Sequence, residues 1–214
     1  MPFFAFPKSW IFQASSDGRL ISMAQRISFK PLTTQTWSDF ENLFGPTGAC
    51  GGCWCMNWRF TRSEFEKQKG DQNKLAVRKL VKKNEIIGLL AYVGDNPAGW
   101  CAVAPREKYV RLESSRVLRP IDDQPVWSLS CFFVAKPYRR MGLSSKLLKA
   151  TIAFTEKQGA GILEAYPIEA KGKLMPDVFA WTGILSTFLA AGFTEEKRHS
   201  PSRPIVRYYM QRAK

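Results

Sequence analysis

The sequence predicts an α/β sandwich with a partly antiparallel sheet, and three stretches carry that prediction. Residues 85–107 hold two apolar runs on either side of GDNPAG, whose Gly, Asn and Pro are turn formers, so this stretch predicts a β-hairpin. Residues 125–135, PVWSLSCFFVA, become apolar on both faces and predict a strand that is buried on both sides. Residues 143–159 carry Leu and Ile at roughly helical spacing, which predicts a helix soon after that strand. Strands and helices mixed in this order are typical of an α/β sandwich.

The remaining elements follow from the same signals. RISFKPL, residues 26–32, alternates as a strand should, and residues 34–44 predict a helix capped by Thr33 or Thr34. Residues 62–84 predict one or two basic helices. The chain then closes with a strand at 161–168, a helix at 177–192 capped by Asp177, and two short strands at 193–198 and 203–212.

The length and composition indicate one globular domain. The 214 residues contain no internal repeat, low-complexity tract or long polar linker, so we expect a domain over residues 26–214 and an N-terminal extension over residues 1–25. No apolar run approaches the about 18 to 20 residues that a membrane span requires. Five cysteines without an export signal are typical of a reducing compartment, so we expect a cytoplasmic protein without a membrane partner.

A formal net charge of +14 favours polyanionic partners. Nucleic acid, an acidic membrane surface and a phosphate-rich small molecule all fit this charge, and a solvated basic surface that only maintains solubility is the alternative. The basic residues are spread along the chain, and no helix-turn-helix, RNP or zinc-finger pattern is present. Nucleic acid is therefore the weaker of these predictions.

The loop KPYRRMG, residues 136–142, lies between the buried strand and the long helix and has the features of an anion site. Gly142 has no Cβ and lets a ligand approach the backbone closely. The first amides of the helix lack intrahelical partners, and the helix dipole adds positive charge there. Four basic residues surround the same point, namely Lys136, Arg139, Arg140 and Lys146. This combination suits a pyrophosphate, although the spacing of a Walker loop is absent.

At these residues the chain resembles the GNAT family of acyl-CoA-dependent N-acetyltransferases. The loop pattern of that family is Gln or Arg, two residues, Gly, one residue, then Gly or Ala, placed between a strand and a helix. Here the pattern runs from Arg139 to Ser144, and Ser144 departs from it by being neither Gly nor Ala. The order of the other elements agrees, so the resemblance covers roughly residues 26–212.

This resemblance implies a single-domain, mixed and mostly antiparallel sheet, flanked by helices, in which the strands at 125–135 and 161–168 splay into a V. The implied co-substrate is acetyl-CoA, with no metal, and because dimers are common in similar folds a homodimer is one expectation. The pantetheine arm would pair in the V with the backbone of Cys131, Phe132, Phe133 and Val134. The pyrophosphate would lie on the amides from Arg140 to Ser145. The implied cofactor-binding residues of this loop are Arg139, Arg140, Met141, Gly142, Leu143, Ser144 and Ser145.

The implied reaction is direct attack by a neutral amine on the thioester. The amine belongs to a small molecule or a peptide. It needs a base, donors for the oxyanion and an acid for the leaving thiolate. Many family members have a glutamate base at the position of Ser128 and a tyrosine acid at the position of Phe188, and neither residue present here can do that work. A catalytically inactive acyl-CoA-binding protein is therefore the second hypothesis, and a basic nucleic-acid-binding module is the third.

Substitutes for the missing groups come from the strand ILEAYP. We predict Glu164 as the base, and strand alternation puts Tyr166 on the same face as a candidate acid. The alternatives are a Glu164 that pairs with a basic side chain and a core Tyr166 that satisfies its hydroxyl locally. Ser128 is predicted to hydrogen-bond the substrate, and the alternative is a small polar residue of the strand.

The stretch ACGGCWCMNWRF, residues 49–60, holds three of the five cysteines. A structural zinc site usually has two separated pairs of ligands, whereas these three form one cluster, so we predict no metal. In the family that the chain resembles, the segment after the first helix packs beside the acceptor cleft, so the resemblance implies a loop on the acceptor side here, with plain packing between helices as the alternative. Its predicted contacts are apolar walls from Trp54, Met56 and Trp58, and Arg59 facing an acidic group of the acceptor.

Overall fold

The computed structural model describes residues 26–169 and 181–211, so the expected extension at 1–25 and the predicted cap Asp177 lie outside the described residues. The helices are α1 Trp37–Phe44, α2 Arg62–Gln68, α3 Asp71–Lys82, α4 Val110–Glu113, α5 Leu143–Lys157 and α6 Leu185–Leu189. The strands are β1 Ile27–Pro31, β2 Gly88–Val93, β3 Asn96–Pro105, β4 Trp127–Val134, β5 Ile162–Ala165, β6 Thr194–Ser200 and β7 Arg203–Tyr209.

The strands of the described residues form one sheet in the order β1-β2-β3-β4-β5-β7-β6. Neighbouring strands are antiparallel throughout, except that β4 and β5 are parallel. The predicted hairpin is present as β2 and β3, and the two closing strands are present as β6 and β7. The mixed, mostly antiparallel sheet is therefore confirmed.

The central strands β4 and β5 splay apart, as predicted. Their pairing begins at Trp127 opposite Leu163 and ends at Leu129 opposite Ala165. Beyond this point β4 continues to Val134, whereas β5 has already ended. The second half of β4 thus has a neighbouring strand on one side only, and its other edge faces a V-shaped gap.

Helices cover both faces of the sheet because the side chains of its central strands alternate between two apolar clusters. Leu89 of β2 lies in the cluster that contains Leu147 of α5. The next residue, Leu90, lies in the opposite cluster with Phe40 of α1 and Trp100 of β3, whose rings meet edge to face at 4.9 Å between centroids. In the described part of the chain, no helix combines the length and the apolar character needed to cross a membrane.

Two helix starts differ from the sequence prediction. The first helix begins at Trp37, because the Thr36 hydroxyl donates to the carbonyl of Pro31 and accepts from the amide of Thr33, which holds this segment in a turn. The helix predicted over residues 177–192 begins only at Leu185 among the described residues. Before it, residues 181–183 turn, and Ile184 is extended because it forms a β-bridge with Ile168.

Candidate functional site

A cavity of about 840 Å³ opens in the gap beside β4. One wall is the second half of β4, followed by the loop that leads into α5. The opposite walls come from the cysteine loop, residues 49–57, and from residues 181–188 at the start of α6. The gap between the splayed strands, the basic loop and the cysteine loop thus share one cleft.

The backbone of β4 presents alternate residues to this cleft. The Ala135 amide donates to the carbonyl of Ala98 on the β3 side at 3.0 Å. Because backbone groups alternate along a strand, Phe132 and Val134 direct theirs to the other side, into the gap. The predicted four-residue edge therefore reduces to these two residues, and the backbone groups of Cys131 and Phe133 face β3.

Both cleft-facing residues already make one contact each. The Phe132 amide donates to the carbonyl of Trp181 at 2.6 Å. The carbonyl of Val134 accepts from Nε of Arg139 at 2.9 Å. The first contact brings the start of α6 against β4, and the second fixes the basic loop against the end of the same strand.

The loop before α5 has the geometry of an anion site. Gly142 adopts φ +71°, a left-handed conformation, and the first helical hydrogen bond runs from the Lys146 amide to the Gly142 carbonyl at 3.2 Å. The amides of residues 143–145 therefore have no intrahelical partner. No side chain of the described residues caps this end, and the first turn of the helix carries no acidic residue. These amides remain available to an anion.

The cavity wall is positively charged. Its basic side chains are Lys69, Lys136, Arg139 and Arg140, and no Asp, Glu or His of the described residues lines it. Ser144 also lines the cavity. Met141 instead points to solvent with 57% of its surface exposed, and the Leu143 side chain is buried in the core. Of the loop residues predicted at the pyrophosphate, the structure thus places the side chains of Arg139, Arg140 and Ser144 in the cleft.

Glu164, predicted as the base, is fully enclosed by two guanidinium groups. One carboxylate oxygen accepts from Arg106 and the other from Arg207, each at 2.8 Å, and the residue is 1% exposed. Two peripheral carboxylates complete the network, with Glu113 on Arg106 and Asp122 on Arg207. These contacts support the ion-paired alternative over a general base, because neither oxygen reaches the cavity.

Tyr166 and Ser128 belong to the same buried network. The Tyr166 hydroxyl donates to Glu164 at 2.7 Å and lies 2.7 Å from the Ser128 hydroxyl, so the predicted shared face is confirmed. Burial raises the pKa of Tyr166 well above its usual value, which makes the hydroxyl a weak acid. Neither side chain lines the cavity, so the structure moves both away from the predicted contact with substrate.

The cysteines of the cysteine loop belong to the wall of the cleft. Cys50, Cys53 and Cys55 line the cavity together with Cys131 of β4. Burial raises the pKa of Cys53 to about 12, and a hydrogen bond with Cys55 raises that of Cys131 well above its usual value. A raised thiol pKa favours the protonated form at neutral pH, so these two groups are poor nucleophiles. No set of three or more His, Cys, Asp or Glu within residues 26–169 and 181–211 has the arrangement of a metal site.

The aromatic residues of the cysteine loop correct the sequence expectation. Trp54 and Met56 are 3% and 2% exposed and pack into the core below the loop rather than on the cavity wall. The reason is local: Gly48 has no side chain, so the Trp54 ring lies against its backbone and stacks on Phe44. The expected alternative, packing between helices, describes both residues.

Arg59 and Trp58 also turn away from the expected acceptor wall. Arg59 is 8% exposed, donates to the carbonyl of Ile86 at 3.3 Å and lies over the ring of Tyr109. Trp58 donates from Nε1 to the carbonyl of Ser130 at 3.1 Å, which places its indole against β4. No residue of this stretch after Asn57 lines the cavity.

Sequence reasoning missed the wall formed by residues 181–188. Trp181, Thr187 and Phe188 line the cavity, but the sequence pattern assigned Trp181 to the interior of a helix. The available signal was Gly183, which lies at the end of the turn before α6 with φ +84°. Phe188 is fully buried and packs edge to face on Phe132, so no acid stands at that position.

Comparison with known proteins agrees with this architecture. The acetyltransferase (GNAT) family matches residues 53–170 of the chain. Among solved structures, an acetyltransferase of the GNAT family from Listeria monocytogenes 4b F2365 superposes with a TM-score of 0.53 at 10% identity, covering 86% of this chain and 95% of that one. At such identity the likeness shows the fold alone.

Two further solved structures are similar at lower scores. PaiA N-acetyltransferase from Thermoplasma acidophilum, in complex with coenzyme A, has a TM-score of 0.49 at 13% identity, covering 86% of this chain and 99% of that one. The ribosomal-protein-S18-alanine N-acetyltransferase from Escherichia coli has a TM-score of 0.46 at 13% identity, covering 88% and 97%. No curated protein matches the sequence.

Proposed function

Because this chain belongs to the acetyltransferase (GNAT) family, we propose that it transfers an acetyl group from acetyl-CoA to the amine of an acceptor. One observation carries the proposal: the cleft joins the open edge of β4 to an uncapped helix start with basic residues around it. An extended, amide-containing arm that ends in a pyrophosphate has the shape and charge to occupy both parts.

The donor would bind along β4 with its phosphates at α5. Phe132 and Val134 would pair with the pantetheine arm as a short additional strand. The free amides of residues 143–145 and the guanidinium groups of Arg139 and Arg140 would hold the pyrophosphate. The Phe132 amide is occupied by its hydrogen bond to the Trp181 carbonyl, so Phe132 would offer its carbonyl and Val134 its amide to the arm.

Direct attack fits the chemistry of the cleft better than a covalent intermediate on Cys53 or Cys131. The amine lone pair forms the new C–N bond at the thioester carbon, the C–S bond breaks, and the departing thiolate takes up the proton that the amine loses. A cysteine nucleophile would need a thiolate, and the raised pKa values of Cys53 and Cys131 oppose one at neutral pH.

The acceptor's own protonation should set the pH dependence. With no carboxylate or imidazole on the described cavity wall, only the neutral fraction of the free amine attacks. We expect kcat/KM to rise about tenfold per pH unit below the pKa of the acceptor and to level off above it. An α-amine, with a pKa of about 7.7 to 8.0, should therefore level off about two units earlier than a lysine side chain.

This pH dependence is checked by measuring kcat/KM from pH 6 to 10 with two acceptors of different pKa. An inflection that moves with the acceptor supports the proposal. An inflection that stays at one pH for both acceptors would show that an enzyme group removes the proton, and direct use of the neutral amine would then be wrong.

A protein of this fold that binds acyl-CoA without catalysis is the second candidate. It is favoured by the residues at the usual base and acid positions, since Ser128 is buried in a hydrogen-bond network and Phe188 is apolar. The two candidates differ in amine-dependent release of the CoA thiol, with the acetylated amine identified by mass spectrometry. A panel of peptide N-termini, lysine, polyamines and aminoglycosides should yield at least one acceptor. If acetyl-CoA binds and no amine releases the thiol, the second candidate holds.

We further propose a single domain over residues 26–214 and a cytoplasmic location. One continuous sheet runs through the described residues from β1 to β7, which supports the first proposal. All five cysteines are free thiols, which fits a reducing compartment. A homodimer stays a prediction.

A further inference from the structure

We propose that the stacked indoles of Trp58 and Trp181 close the acyl end of the cleft and restrict the donor to a short acyl group such as acetyl. This specificity role rests on the proposed binding of acetyl-CoA. Three observations support it: the position of the two indoles, the contacts that hold Trp58, and the apolar cluster behind Trp58.

The position follows from the backbone contacts of residues 181–184, here called the wedge segment. The Trp181 carbonyl accepts from the Phe132 amide of β4 at 2.6 Å. On its other side, the Gly183 carbonyl accepts from the Ile168 amide at 2.9 Å, in the chain that follows β5. The wedge segment thus spans the V from one splayed strand to the continuation of the other and closes the cleft at the level of Phe132.

The direction of the donor places its acyl group at this closure. With the pyrophosphate at the start of α5, the arm would run back along β4 from Val134 towards Phe132. That distance is about 7 Å at the usual rise of about 3.3 Å per residue. The thioester, at the far end of the arm, would arrive beside Phe132, and any carbon beyond the carbonyl would point at the Trp181 ring, which lines the cavity.

The indole behind Trp181 is held in place on three sides. Trp58 stacks on Trp181 with 5.7 Å between ring centroids and 30° between ring planes. Its Nε1 donates to the Ser130 carbonyl at 3.1 Å, and its own carbonyl accepts from the Arg111 amide at 3.1 Å. The Arg111 guanidinium lies 5.7 Å from the Trp58 ring centroid and also donates to Asn57. A longer acyl chain would therefore have to displace an anchored pair of rings.

Packed apolar side chains lie behind the pair. Trp58 packs against a buried cluster that contains Tyr109, Leu112 and Leu118, none of which lines the cavity. Removal of the Trp181 ring would extend the cleft to the face of Trp58 and towards this cluster. The added space would be apolar, as a hydrocarbon chain requires.

The test is calorimetric titration of the full 214-residue chain with CoA, acetyl-CoA, butyryl-CoA and hexanoyl-CoA. It needs no knowledge of the acceptor. We expect the wild type to bind CoA and acetyl-CoA with similar affinity and hexanoyl-CoA about tenfold more weakly, because the chain has to displace packed rings. In Trp181→Ala, hexanoyl-CoA should bind within about threefold of acetyl-CoA, since the chain gains apolar contact.

Trp58→Leu serves as a second variant, in which the stack is lost but the Trp181 side chain remains and the discrimination should weaken. Trp127→Ala, which removes an indole outside the cavity wall, should keep the wild-type order. Equal binding of acetyl-CoA and hexanoyl-CoA by the wild type, or unchanged discrimination in both test variants, would overturn this proposal alone. Failure of CoA itself to bind the folded wild type would overturn the proposed function and this inference together.

Discussion

Gly142→Glu is expected to lower the affinity for acetyl-CoA by at least about 100-fold, which is about 2.7 kcal/mol. The new carboxylate would stand at the uncapped start of α5, where the proposed pyrophosphate needs the amides and the nearby guanidinium groups of Arg139 and Arg140. It would compete with the ligand for these donors and repel its charge. Calorimetric titration of the variant measures the loss directly.

Gly159→Glu is the matched control for this substitution. Gly159 lies just past the other end of α5 with φ +83°, and an added Cβ meets nothing within 4 Å at either glycine. The two variants therefore share the new charge and the left-handed backbone, but only Gly142 borders the proposed phosphate site. Gly142→Ala separates strain from charge and should cost about 1 to 2 kcal/mol of stability while it retains binding. Equal loss of binding in both Glu variants would contradict the placement of the phosphates.

Glu164→Gln is expected to destabilise the fold by about 3 kcal/mol, because it leaves two buried guanidinium groups with a neutral partner between them. For a domain of this size the loss corresponds to a fall in Tm of about 6 to 12 °C. Urea unfolding and a thermal melt measure it. The effect would identify Glu164 as the centre of a structural network that joins β5, β7 and the chain before α4.

Glu113→Gln provides the comparison, since it removes a carboxylate from the same guanidinium at the same distance. Glu113 and Glu164 both lie 2.8 Å from Arg106, but the Glu113 side chain is 49% exposed. An exposed ion pair contributes at most about 1 kcal/mol, so this variant should melt close to the wild type. A Glu164→Gln protein that melts like the wild type but has lost acetyl transfer would contradict our account and restore Glu164 as the general base.

The fold could be predicted from the sequence because each of its main elements has a pattern within its own stretch of residues. The β2–β3 hairpin has turn residues between two apolar runs, and β4 and α5 have continuous or helically spaced apolar residues. The basic loop could also be located, since its charges, its glycine and its position between strand and helix are all contiguous. A ligand site that is formed by adjacent residues can be recognised from the sequence alone.

The remaining part of the site depends on contacts between distant residues. Arg106 meets Glu164 across 58 positions of sequence, and nothing near either residue signals the pair. Trp54 turns into the core because Gly48 leaves room for its ring. The sequence shows that both residues are present but not that they are in contact. Trp181 reaches the cleft because its backbone bonds to Phe132, and this contact prevents the helix that local pattern predicts.

The most direct test of the proposed donor site is amide hydrogen exchange of the full chain with and without acetyl-CoA. The proposed complex would slow exchange at two places, the amide of Val134 on the open edge of β4 and the amides of residues 143–145 at the start of α5. We expect protection at both places and no change in the basic helix α3. Protection confined to α3, or no change at β4 and α5 under saturating acetyl-CoA, would show that the cleft is not the donor site.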